Sequence, residues 1–546
     1  MTETIASDGS QRQSLRVHAA DNVRVALKDL AAGTRVDDDG RPLELAEPIR
    51  HKHKFSVEDI TAGDAVVMYG VTVGRATRPI PAGTAITVDN TEHSTASATP
   101  QARRGEWRVP DVSSFADVTF EGYCRPDGRV GTANVWLVVP LVFCENRNIE
   151  VLRQCVADAL GEDPYRDYKR MARALLHGES DTEQTSPVGE RLFPNVDGVR
   201  FLTHTLGCGG TDDDARALCQ LLAGYICHPN VAGATVLSLG CQKAQIEMLK
   251  AAVAKRDPQW LRPVHYLEQQ ASTSEEALIR EALTTIFDGL AEANRVERSP
   301  APLSALTLGV ECGGSDGFSG LSANPLVGAV VDRLVALGGS GILSEFPELC
   351  GVEHELIARC RDDAVAERFK TLMEAYQQHA ARVGADFSMN PSPGNIRDGL
   401  ITDAMKSAGA AKKGGDSPVI DVLDYTEPHT RAGLNLLCTP GNDVESTTAL
   451  AGSGANLILF TTGLGTPTGN PITPVLKISS NSELAARMGD VIDFDAGPII
   501  RGEATIDELA DRLLALCIDT ASGRYQPHAV RLAQYDFIPW KRGVSL

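Results

Sequence analysis

Four cysteines share one sequence setting. Cys144 closes the apolar run 135–143, and Cys208 follows the run 199–206 through Gly207. Cys241 follows 231–239 through Gly240, and Cys312 follows 303–310 through Glu311. Each run reads as a buried strand, and each cysteine is followed by a polar or glycine-rich turn and a helical stretch: 149–160, 213–225, 245–254 and 325–337. The carboxyl ends of parallel strands form the rim where α/β sheets bind ligands. A thiol at that rim faces a helix N-terminus, which favours the thiolate, and thiolates coordinate soft or borderline metals such as iron. A lone cysteine is ordinarily a small buried hydrophobe; four repeats of strand, Cys, turn and helix set a metal or cluster site beside that reading. The spacing fits no zinc ribbon.

Three glycine-rich loops add oxygen chemistry. ECGGSDGFSGLSANP (311–325) offers Glu311, Asp316 and Asn324 as cation ligands or acid–base groups. FTTGLGTPTGNP (460–471), with Thr462 and Thr466, and MNPSPGN (389–395), with Asn395, are suited to holding a carboxylate. None is a dinucleotide fingerprint or a P-loop, which disfavours a nucleotide-dependent oxidoreductase. Near the N-terminus, His18 and the HKHK run 51–54 supply candidate acid–base groups in His18 and His53, with Lys54 and Asn22 as substrate contacts. The run lacks the zincin spacing.

These residues need a scaffold of several domains, which 546 residues permit. DLAAGTRV (29–36), DITAGDAV (59–66) and PIPAGTAI (79–86) echo one another around an Ala-Gly turn, so residues 1–93 read as a small all-β module. A Ser/Thr/Pro-rich linker follows (94–117), and then strands alternate with helices, the pattern of parallel α/β architecture. One α/β unit spans 118–300 and, past a polar boundary near 299–302, a second spans 301–546 with seven strands expected at 303–310, 341–344, 419–423, 434–437, 457–460, 475–478 and 491–494; 158–192 reads as a charged surface insertion. A net charge of −20 argues against nucleic acid or an anionic membrane as partner, though not against a small anionic substrate. The polar N-terminus shows no signal peptide, and no apolar run spans a bilayer. Twelve cysteines without a secretion signal then suggest a reducing, cytoplasmic setting.

The motifs together resemble the altronate/galactarate dehydratase family. RVHAADNVRVALKDLAAGT and HKFSVEDITAGDAVVMYGVTVGRAT look like its SAF-type β-clip module. FEGYCRPDGRVGTANVW, HTLGCGG, LSLGCQK, LGVECGGSDGFSGLSANP, NPSPGN, LNLLCTPGNDVESTTALAGSGA and LFTTGLGTPTGNP look like its body. GLNLL, PGND, DFDAG and the terminal GVSL resemble the altronate branch more than the galactarate branch. The resemblance implies a β-clip, a central dimer-forming α/β domain and a C-terminal Rossmann-like variant, hence a homodimer. It implies elimination of water from a sugar acid, best read as D-altronate, to a 2-keto-3-deoxy acid. Galactarate or another aldonate is the alternative substrate, and a non-catalytic sugar-acid-binding protein the alternative class. The implied cofactor is iron, as Fe²⁺ or an iron–sulfur cluster, with another divalent ion such as Mn²⁺ as substitute. Cys144, Cys208, Cys241 and Cys312, with Asp316 or Glu311, are the expected ligands. The chain departs from the family pattern at Ala85, Thr87, Asp89 and Asn90, where H-x-H-x-H-N is usual, at Leu464, where Arg is usual, and at Gln242, where Glu is usual.

Overall fold

A computed structural model describes residues 12–95, 107–178 and 191–546. The N-terminal module is all β. Val23–Ala26 pairs with Ser14–Leu15 and Lys54–Ser56, Arg35–Asp38 pairs with Arg41–Glu44, and Val71–Ala76 pairs with Ala65–Met68 and Thr91–Glu92. The three echoed turns place Gly33, Gly63 and Gly83 at φ +77°, +91° and +79°, a backbone that L side chains rarely adopt.

The central unit carries a four-stranded parallel sheet in the order Gly198–Phe201, Val135–Pro140, Val231–Ser238, Val264–Glu268. Its helix Asp212–Ile226 starts in a capping box between Thr211 and Asp214, with three aspartates in the first turn against the helix dipole. The expected surface insertion contains a helix, Arg166–His177; residues 179–190 lie outside the described chain. Ser299–Pro302, read from sequence as polar boundary, is a strand that pairs antiparallel with Thr119–Cys124. Proline serves there because this strand lies at the edge of its small sheet.

All seven strands expected of the C-terminal unit are present, every neighbouring pair parallel. Their order is Val419–Leu423, Gly433–Leu437, Ser340–Leu343, Thr307–Cys312, Leu457–Thr462, Val475–Ser479, Phe494–Asp495. The chain enters at Thr307–Cys312, adds Ser340–Leu343 beside it, crosses to the edge at Val419–Leu423, returns to Gly433–Leu437, and then builds from Leu457–Thr462 outward on the other side. The strand order therefore reverses between Thr307–Cys312 and Leu457–Thr462, and at such a switch the crossovers diverge and leave a crevice at the carboxyl ends. Both α/β units share one apolar core: Leu221, Leu222 and Val236 of the central unit cluster with Leu437, Ala449 and Phe460 of the C-terminal one. The chain end returns to the central unit, where the Leu546 amide donates to the Gly209 carbonyl at 2.8 Å. No described helix is long and apolar enough to cross a membrane.

Candidate metal centre

The crevice is built from strand ends. Thr307–Cys312 delivers Glu311 and Cys312, and Ser340–Leu343 delivers Ser344 and Glu345. The next turn, Phe346–Leu349, carries Glu348, and the helix Asp443–Ser453 presents Asp443 in its first turn. Glu345 sits at φ +65°, an uncommon conformation for a glutamate and a backbone strain of the kind that gathers at functional sites. A Cβ at Gly313 would collide with the Asp443 carboxylate, so glycine is what lets the loop after Cys312 pass so close.

Ligand atoms of Cys312, Glu345 and Glu348 lie within 4.8 Å of one another, as do those of Glu311, Glu345 and Asp443. Glu345 belongs to both groups and joins them into one acid–thiol cluster. Two buried lysines run through it. The Lys413 ammonium stands 2.8 Å from Cys312 Sγ and 2.7 Å from Glu345 Oε2, and Lys406 is 2.5 Å from Glu348 Oε1. One oxygen of Glu311 accepts hydroxyl hydrogen bonds from Ser344 (3.0 Å) and Ser446 (2.6 Å). Its other oxygen, Oε1, and Glu345 Oε1 are buried and without a hydrogen-bond partner.

An unpaired buried carboxylate oxygen costs several kcal/mol unless something positive meets it, on the order of the penalties for buried charge. Burial, with Glu345 next, pushes the Glu311 carboxyl well up, and burial with Glu348 pushes Glu345 up. Burial acts the same way on Glu348, but Lys406 and Lys413 overcome it and hold that carboxyl low. Asp443, the least buried of its group, is pushed up to about 7 by burial and by Glu345 and Glu348. Two orphan oxygens, a thiol and further carboxylates form a donor set that suits a divalent cation of borderline softness.

The four strand-end cysteines divide between two sheets. Cys144, Cys208 and Cys241 follow adjacent strands of the central sheet and are exposed. Among the described residues none of them belongs to a group of three ligand atoms close enough for one ion. Cys312 lies buried in the other sheet. Strand–Cys–turn–helix repeats locate sheet rims, and two sheets have two rims.

Asp316 was expected as a ligand. Its oxygens already accept from Ser319 Oγ (2.9 Å), the Phe318 amide (3.1 Å), Ser480 Oγ (2.8 Å) and Asn481 Nδ2 (3.1 Å), and pair with Lys52 at 2.9 Å. Through Lys52, Asp316 anchors the β-module. The HKHK run is the peg of that docking. Lys54 Nζ donates to the Gly399 carbonyl at 2.7 Å and to that of Lys52 at 3.2 Å. His53 Nε2 donates to the Arg397 carbonyl at 3.1 Å, which fixes its tautomer because a carbonyl can only accept. Lys54 is fully buried, with its ammonium donating to those two carbonyls.

The remaining expected contacts also have internal partners. Asn22 bridges Ala65 O and the Val67 amide, and Asn324 joins Thr461 Oγ1 to Gly409 O. Asn395 caps its own helix and donates to Ser315 O at 2.7 Å. Thr462 Oγ1 accepts from the Gly465 and Thr466 amides, stapling the loop that carries Leu464, and Thr466 Oγ1 faces Gly314. His18 is exposed, with Nδ1 accepting from the Ala20 amide, and Gln242 is spent on Ser238, Gly240 and Ala244.

Sequence reasoning missed Glu345, Glu348, Lys406, Lys413 and Asp443. Glu345 stands at a strand end like the cysteines, so the strand-end rule applied to carboxylates as well as thiols would have found it. Lys413 gave no signal, since its neighbour Lys412 pairs with Glu355 near the surface while Lys413 points inward.

One prediction concerns the peg. Burial pushes the Lys54 ammonium down to about 7 against the pull of Asp316. Between that value and the ordinary lysine range near 10.4 the folded protein has released a proton that the unfolded chain still holds. Stability on this account rises with pH above about 7 and is lost as pH falls through it. Urea melts from pH 7 to 9 should show a rise in wild type that is smaller in Lys54→Met; equal slopes would mean that Lys54 stays charged when buried.

Family models agree with this architecture. Residues 12–94 match the altronate/galactarate dehydratase SAF domain, 122–294 the D-galactarate dehydratase/altronate hydrolase second domain, and 303–545 the D-galactarate/altronate dehydratase C-terminal domain. The chain is 35% identical to altronate dehydratase of Escherichia coli (strain K12), over 94% of this chain and 96% of that one. It is 34% identical to altronate dehydratase of Bacillus subtilis (strain 168), over 94% and 96%. Identity to galactarate dehydratase (L-threo-forming) of Escherichia coli (strain K12) is 33%, over 93% of each chain. The protein is a hydro-lyase, a dehydratase of sugar acids. It belongs to the altronate/galactarate dehydratase family.

Proposed function

We propose that the chain dehydrates a C6 aldonate, best read as D-altronate, to 2-keto-3-deoxy-D-gluconate, with iron as its metal. The observation that carries the site assignment is the pair of unpartnered carboxylate oxygens on Glu311 and Glu345, buried beside the Cys312 thiol at the strand switch. Glu311, Glu345, Cys312 and Glu348 would hold the ion. When bound, it supplies Lewis-acid stabilisation of the negative charge that develops on the substrate carboxylate as the C2 proton leaves.

The chain's own groups do the rest. Lys413 and Lys406 keep the local charge near balance, so that several carboxylates tolerate one dry pocket. Asp443, at the mouth of the cluster, is the group proposed to take the C2 proton at a carboxylate oxygen. Asp443 then returns that proton to the departing C3 hydroxyl, so that the C2–H and C3–O bonds break, a C2=C3 bond forms and water leaves, and the resulting enol tautomerises to the 2-keto acid. Gly313 and Gly314 bring backbone rather than side chains against Asp443 and the Thr462–Thr466 loop.

Preference for a monoacid rests on Leu464, an apolar and partly exposed side chain on that loop, at the position where the family pattern calls for Arg. Leu464→Arg should raise activity on galactarate more than on altronate, because a distal carboxylate gains a cation; equal changes on both would show that the loop does not read that end. The function itself is tested by incubating the purified protein anaerobically with Fe²⁺ and each of a panel of aldonates and aldarates. Formation of a 2-keto-3-deoxy acid, greatest with altronate and independent of added nucleotide, is expected. Binding without any keto product would assign the chain to the non-catalytic class instead.

A further inference from the structure

A second group of ligands lies at the seam between the β-module and the body, and the proposed reaction does not use it. His93 follows the module's last strand, Thr91–Glu92. Cys350 follows the turn Phe346–Leu349, and Asp403 opens the helix Asp403–Ala410. Their ligand atoms lie within 4.8 Å of one another. Two of those residues carry orphaned atoms: His93 Nδ1 and Asp403 Oδ2 are buried and have no hydrogen-bond partner, while Asp403 as a residue is 1% exposed. Leaving such atoms unmet costs roughly 1–3 kcal/mol each, and three elements distant in sequence converge to leave them so.

The surroundings are acidic. Asp386 acts on both His93 and Cys350, Glu353 on Cys350, and Glu348 on Asp403, with Lys406 the opposing cation near Asp403. The seam is tight: a Cβ at Gly351 would press on the Thr95 side chain at 2.5 Å, and Thr402 Oγ1 donates to the Val73 carbonyl of the module at 2.5 Å.

We propose that His93, Cys350 and Asp403 form a second metal site, a Zn²⁺-type cation site that ties the β-module to the body. One imidazole, one thiolate and one carboxylate are a donor set for zinc or its neighbours, with a fourth position for water. Binding releases the Cys350 thiol proton and any proton held on Asp403. The site also adjoins the catalytic cluster along the chain. Cys350 lies two residues after Glu348, and Asp403 lies one helical turn before Lys406, whose ammonium meets Glu348. A cation here therefore fixes the two segments that set the Glu348–Lys406 pair.

The test uses the full chain in the Cys312→Ser background, which removes the catalytic thiol. The protein is stripped with chelator and titrated with Co²⁺, then with Zn²⁺ as competitor. A thiolate-to-cobalt charge-transfer band should appear, vanish when Zn²⁺ displaces the cobalt, and be absent after Cys350→Ser. His93→Ala should weaken Co²⁺ binding by at least ~10-fold, since even indirect supports of metal ligands are worth 10–100-fold. Zn²⁺ should raise the melting temperature of the background protein but not of either variant. Circular dichroism checks that Cys350→Ser folds, and His93→Ala, at a partly buried position, gives an independent answer. A band that survives Cys350→Ser, or equal Co²⁺ affinity with and without His93, would overturn the proposal. Because Cys312 is absent throughout, the thiolate-to-cobalt band is independent of the first cluster, whose remaining ligands are carboxylates.

Discussion

Lys413→Met should destabilise the metal-free protein by about 3–5 kcal/mol, the usual cost of removing one partner from a fully buried ion pair. Lys413 and Glu345 are each 1% exposed in their side chains and only 2.7 Å apart, so water cannot replace the lost ammonium. Methionine fills nearly the same volume, which confines the effect to charge. The double variant Lys413→Met/Glu345→Gln should recover part of the loss, because the orphaned carboxylate is then neutral. Urea unfolding of wild type, Lys413→Met, Glu345→Gln and the double variant provides the cycle. If the single and double variants are equally unstable, packing rather than charge pairing governs this part of the core.

Asp443→Asn should lower turnover by about 10²–10⁴-fold, the range for loss of a positioned proton acceptor. The substitution keeps the shape against Gly313 and removes only the basic oxygen. Iron content should stay near wild type, since Glu311, Glu345, Glu348 and Cys312 are untouched, and KM should change far less than kcat. A variant that loses its iron along with its activity would make Asp443 primarily a ligand, and one that retains full kcat would remove it from the reaction.

The fold was largely legible in the sequence because buried parallel strands are continuous apolar runs and their periodicity survives without tertiary context. The C-terminal strands at 419–423, 434–437 and 475–478 fall within a residue or so of their observed bounds. The strand expected at 491–494 begins later, at Phe494, because Val491 and Ile492 end a turn whose amides bond back to Met488.

The site was legible only in part. Glu311 and Cys312 stand where a strand-end rule puts them, but the rule cannot say which rims face each other, so the exposed thiols at Cys144, Cys208 and Cys241 were grouped with a buried one. Asp316 and Lys54, read from sequence as a ligand and a substrate contact, both lie in the contacts between the module and the body. Charged residues in a glycine-rich loop read as ligands, whereas here they join the module to the body. Lys406 and Lys413 lie on helical segments whose composition suits a solvated face, and only the packing of those segments over the strand ends turns both ammoniums inward.

Iron bound per chain, measured after anaerobic reconstitution and desalting, tests most directly whether the metal centre lies in the C-terminal sheet. Two proteins are compared with wild type: Glu345→Gln, and the triple variant Cys144→Ser/Cys208→Ser/Cys241→Ser. The buried cluster predicts that Glu345→Gln loses most of its iron while the triple variant keeps a wild-type complement. Full iron in Glu345→Gln together with loss in the triple variant would place the metal at the central rim and contradict the assignment.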